Sequence, residues 1–244
     1  MVIIMGRLSV AGATLSLGCL GPSAGVGQPL SHPRSDTARG ITIKAPAAVD
    51  PKALERAKEV IEQMLSGRED IRVRLVERKA ALAIIPKGSY ITALPEFASL
   101  SGKKDPNGNP YDSFAVRGAG AVIGQPVTAT AEENLLKLPG DPFAAESVAH
   151  HEFAHAVMNL GFTEVDHGEW KAIFRAAADR RLFPGAFAMS NADEYWAELS
   201  QSYFSVNNEI NGPKLIQEKD PTAAAFLEKV YGPLRTAENK SRHE

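Results

Sequence analysis

The chain has 244 residues, enough for one domain with a substantial core or two small ones. Apolar residues make up 44% and charged residues 23%, which excludes disordered and fibrous classes. The 27 basic and 29 acidic side chains leave a net charge of −2, so no strong field steers nucleic acid or an anionic membrane surface to it. One cysteine excludes a disulfide framework and a multi-cysteine zinc site. No apolar run reaches the roughly 18 residues of a membrane span.

The N-terminus reads as a secretory signal over residues 1–27. Arg7 is the only charge before Arg34, and Leu8 to Leu20 is apolar and rich in small residues. This implies a secreted or periplasmic protein. Cys19, after Leu17-Gly18, is a weak match to a lipoprotein acceptor, because Ser16 stands where such sites carry Leu. Residues 28–40 are Pro/Ser-rich and aperiodic, as in a linker. One domain is expected over 41–236, with a solvated tail at 237–244.

Three of the four Asp-Pro pairs, at 50–51, 141–142 and 220–221, each predict a helix start, since Asp caps free N–H groups and Pro loses nothing at the first position. The first helix carries Leu54, Ala57, Ile61 and Met64 at helical spacing and ends by Gly67. Ile71, Val73 and Leu75 alternate with arginines, which predicts a strand, and Ala81 to Ile85 predicts another. Residues 102–110 form a turn-rich loop, followed by strand candidates at 113–117 and 121–123. Helices are then expected at 142–160, 167–182, 192–206 and 221–231, with Asp166 and Glu169 as a capping box for the second. A small sheet followed by a helical half gives an α+β class.

The sharpest chemical signal is His151-Glu152-Phe153-Ala154-His155. Histidines at i and i+4 lie about 40° apart around a helix, so both imidazoles reach one metal ion. Glu152 sits beside them, where it can take a proton from water and pass it to a leaving amine. Ala149, Phe153, Ala156 and Leu160 supply an apolar back to this helix, and Gly161 a stop. His150 points about 100° away and falls outside the pair. The metzincin extension is absent, because Met158 stands at the position of its Gly and no His follows three residues later.

A third ligand is required. Glu194 and Glu198 share a helix face one turn apart, so one can bind metal while the other hydrogen-bonds a ligand histidine. Asn191 with Glu194 also matches a capping box, which would turn that carboxylate back onto its own helix.

HEFAHAV followed some 40 residues later by N-x-x-E-Y-W-A-E-x-x-Q-S-Y-F resembles the anthrax lethal factor-like gluzincin metallopeptidases. The resemblance extends over about 115–232, including Glu132 to Leu136 and Asp220-Pro221. It implies a zincin-like domain, a small mixed sheet followed by the helical half that carries both motif helices. It implies one Zn2+ per chain held by His151, His155 and Glu194, with Glu152 as general base and Glu198 as hydrogen-bond partner of a ligand. It implies peptide or protein substrates, lying along a sheet edge within 118–133. One position departs from the family: Phe187 stands where relatives carry a Tyr thought to steady the oxyanion. His167, Tyr195, Tyr111 and Arg175 are alternative donors. Two functions follow. One is a secreted zinc metallopeptidase; the other is a catalytically silent zinc-binding or adhesion module, to which Phe187 points.

Overall fold

The computed structural model describes residues 30–207 and 209–234. The stretch 1–27 expected as a secretory signal, Cys19 within it and the tail 237–244 lie outside the described residues.

The first strand falls inside the stretch expected as linker. β1 (Arg34–Ala38) and β2 (Ile41–Ala45) form an antiparallel hairpin. Arg39 and Gly40, at φ 53° and 86°, make the turn that matches strand twist. Asp50 then caps α1 (Pro51–Met64) by accepting from the Lys52 N–H at 2.9 Å.

The alternating segment that predicted a strand forms helix α2 (Glu69–Glu77) instead. Ile71 and Leu75 are buried, while Val73 and Val76 are exposed. The apolar contact is therefore an i, i+4 pair, which a period of two also generates. Glu69 pairs with Arg72 and Asp70 with Arg74, at helical spacing, and both acids sit in the first turn.

β3 (Ala81–Ile85) is buried on both faces and pairs in parallel with β2 and with β5 (Val127–Ala131). β4 (Gly118–Ala119) lies antiparallel to β5, so the order is β1-β2-β3-β5-β4 and β4 forms an edge. The expected strands at 113–117 and 121–123 thus reduce to two residues between them. Val122 and Gln125 close a tight turn that leads into β5.

Leu82 and Ile84 join the main core under the helices. Ala81, Ala83 and Ile85 face a smaller cluster with Ile91, Leu94 and Phe97. After the short α3 (Glu132–Leu135), the chain makes turns rather than the helix expected from Pro142. Asp141 accepts from the Phe143 N–H and from Asn134 Nδ2, and Ser147 becomes the cap of α4 (Val148–Ala156). A π-helical turn (Val157–Gly161) extends α4 to the glycine.

α5 (Glu164–Asp179) starts earlier than expected, because its capping box is Thr163 with Asp166. α6 (Ala192–Tyr203), α7 (Gly212–Lys219) and α8 (Pro221–Tyr231) complete the helical half. Nothing in the periodicity predicted α7. Asp220 caps α8 as expected, accepting from the Ala223 N–H at 3.1 Å.

Asp166 also binds Arg68, which joins the start of α5 to that of α2. Burial would raise its pKa, but Arg68 and Thr163 together lower it from 3.8 to about 2. A depressed folded-state pKa stabilises above the unfolded value, and the gain disappears as pH falls from about 4 towards 2. Asp166→Asn is therefore expected to cost about 1–2 kcal/mol at pH 7 and almost nothing near pH 2. Urea melts at the two pH values check this.

Candidate metal centre

α4 is buried along its whole length, between the β4–β5 edge of the sheet and helices α1 and α6. Trp196 Nε1 donates to the Ala154 carbonyl at 2.7 Å, tying α6 across α4. Gln201 Nε2 donates to the Ser147 carbonyl at 2.8 Å, holding the other end. These clamps set the histidines of α4 opposite the carboxylates of α6.

His151 Nε2 and His155 Nε2 lie 3.2 Å apart. Glu194 Oε2 is 3.1 Å from the first and 3.8 Å from the second. Both histidines are fully buried, and Glu194 is 4% exposed. Zinc bonds of about 2.0–2.2 Å at tetrahedral angles put ligand atoms about 3.4 Å apart, so this triangle has the right size for the ion. Two imidazoles and a carboxylate are also a donor set that zinc favours, with a fourth position left for water.

Asn191 Oδ1 accepts the Asp193 and Glu194 N–H groups at 2.9 Å each, so Asn191 caps α6 unaided. The Glu194 carboxylate is directed to the histidines instead. Glu198, fully buried one turn on, places Oε1 3.2 Å from His151 Nδ1. With an ion bound, a proton on Nδ1 facing that carboxylate would leave the Nε2 lone pair to the ion.

The electrostatics follow from these contacts. Burial would lower the His151 pKa, but Glu194 and Glu198 raise it well above 6.5. Burial lowers His155 to about 4, keeping it neutral. Burial would raise Glu194, but its two histidines hold it below the usual carboxylate value.

Glu152 is buried against the sheet edge. A methyl group at Gly118 would fall 2.7 Å from Glu152 Oε1 and 2.6 Å from Val148 Cγ1, and one at Gly120 would fall 2.5 Å from His155 Cβ. Side chains there would force β4 off α4. Gly118→Ala is expected to destabilise the fold by about 1–3 kcal/mol through overpacking. Chemical denaturation checks this, and wild-type stability would show that the strand moves aside freely.

His150 lies apart from the centre, as its angle predicted. It is bonded to Ser147 Oγ at 2.8 Å and Gln63 Oε1 at 3.2 Å. The alternative oxyanion donors have other partners. Tyr195 donates to Asp220 Oδ2 at 2.7 Å, and burial with that contact pushes its pKa up. Tyr111 packs in the smaller cluster, and Arg175 bonds the Lys171 carbonyl of its own helix. His167 stands edge-on to Phe162. Phe187 opens a single turn (Phe187–Ser190) before α6, where its N–H donates to Glu209 Oε2 at 2.9 Å.

Among solved structures, the chain is similar to the Pro-Pro endopeptidase PPEP-2 from Paenibacillus alvei. The two share 20% identity at a TM-score of 0.57, over 77% of this chain and 96% of that one. The fold is zincin-like. No protein-family model matches the sequence, and no curated protein is similar to it. Among the described residues, no helix is long and apolar enough to cross a membrane.

Sequence reasoning missed Gln201 as a clamp and Asn207 beside Glu198. Gln201 falls in the E-x-x-Q spacing after Glu198, which offered a signal. Asn207 lies in a loop with none.

Proposed function

We propose that this chain is a secreted zinc metallopeptidase of the lethal factor-like gluzincin type. The observation that carries the reading is the buried His151–His155–Glu194 triangle with Glu152 on the same helix. In this reading His151, His155 and Glu194 hold one Zn2+. The ion supplies Lewis acidity, which allows water to attack a carbonyl near neutral pH. Glu152 accepts the proton of the attacking water and returns it to the amide nitrogen as the C–N bond breaks. Glu198 orients His151 throughout.

The zincin-like fold shared with a Pro-Pro endopeptidase supports peptide substrates and adds Pro-Pro bonds to those worth testing. Cleavage of a quenched peptide library that includes Pro-Pro sequences, abolished by chelation and restored by zinc, is the expected result. Turnover that survives chelation would contradict the proposal.

Phe187 favours a second reading, a silent zinc-binding module, because loss of one oxyanion donor costs on the order of a hundredfold or more. One zinc per chain with no cleavage of any peptide would select it.

A further inference from the structure

We propose that Asn207 is a positioning residue for the metal centre, holding Glu198 where that carboxylate orients His151. This inference rests on the metal reading above.

Glu198 has no exposure to solvent, and Asn207 is 6% exposed. Asn207 Nδ2 donates to Glu198 Oε2 at 2.6 Å and to Gln201 Oε1 at 2.8 Å. Asn207 Oδ1 accepts the N–H groups of Glu209 and Ile210 at 2.7 and 2.9 Å. The amide is thus used on both sides, and the backbone donors at its oxygen fix which atom faces the carboxylate. Gln201 carries the connection to the Ser147 carbonyl at the start of α4. One buried chain of polar contacts therefore runs from His151 through Glu198, Asn207 and Gln201 back to the helix that bears His151.

A buried carboxylate needs donors to remain charged and to keep one rotamer. His151 Nδ1 lies 3.2 Å from Oε1, and Asn207 Nδ2 donates to Oε2 at 2.6 Å. Without it, Glu198 would be freer to turn, and the His151 ring would lose its fixed orientation.

Asn207→Asp separates the two sides of the amide. Its size and its acceptor for the loop N–H groups remain, while the donor to Glu198 becomes a second carboxylate. Zinc affinity of the folded variant, read by competition with a chromophoric chelator, is expected to fall about 10–100-fold, with a lower melting temperature because two carboxylates then meet in a buried site. Glu198→Gln should fall comparably, and the double variant should bind no more weakly than Glu198→Gln alone, since Asn207 acts through Glu198. Should Asn207→Asp not fold, Asn207→Ser keeps a small acceptor, removes the amide donor and is held to the same criteria. A folded position-207 variant that binds zinc within twofold of wild type would overturn the inference, as would additive losses in the double variant. A wild-type chain that binds no zinc would overturn the metal reading and this inference with it.

Discussion

Glu152→Gln is expected to lower kcat by about a thousandfold while leaving zinc content unchanged. The amide fills the same buried space beside Gly118 and removes the negative charge and the capacity to accept a proton. Residue 152 supplies none of the atoms of the His151–His155–Glu194 cluster, so the cluster stays. Single-turnover cleavage with metal analysis of the same sample separates the effects. Retained turnover would show that another base serves the reaction, and lost zinc would show that Glu152 supports the site rather than the chemistry.

Glu194→Ala is expected to lower zinc affinity by at least tenfold, whereas Asp193→Ala changes it little. Asn191 keeps both capping hydrogen bonds in either variant, because they end on backbone N–H groups. Loss of affinity therefore reports the carboxylate and not the helix start. Chelator competition on folded protein checks it. Equal affinities for wild type and Glu194→Ala would remove Glu194 from the ligand set and leave it a residue of the first turn of α6.

The candidate histidine pair and the two glutamates were legible in the sequence because each pair has a fixed spacing. His151 and His155 need only one helical turn, and Glu194 and Glu198 repeat that geometry on a second helix. Local spacing left both cap and ligand open for Glu194, and the need for a third ligand and the family resemblance favoured the ligand. The approach of two helices distant in sequence, locked by Trp196 on the Ala154 carbonyl, decides where the carboxylate goes.

The fold was legible where a cap chemistry is local, as at Asp50 and Asp220. It was misread where two periods coincide. Ile71 and Leu75 satisfy both an alternating strand and one turn of helix, and the charged pairs of Glu69 and Asp70 decide for the helix. β5 was missed because Val127 to Ala131 alternates only small and β-branched residues, and its threonines are buried like its alanines. β1 was hidden in a polar stretch whose pairing with β2 is all that makes it a strand. Asn207 was invisible for a similar reason: its partners come from α6 and from the loop beyond it.

The most direct test is zinc content after excess metal is dialysed away, measured on wild type and on His155→Ala in parallel. The account predicts close to one zinc per wild-type chain and almost none in the variant. No zinc in the wild type, or equal zinc in both, would contradict it.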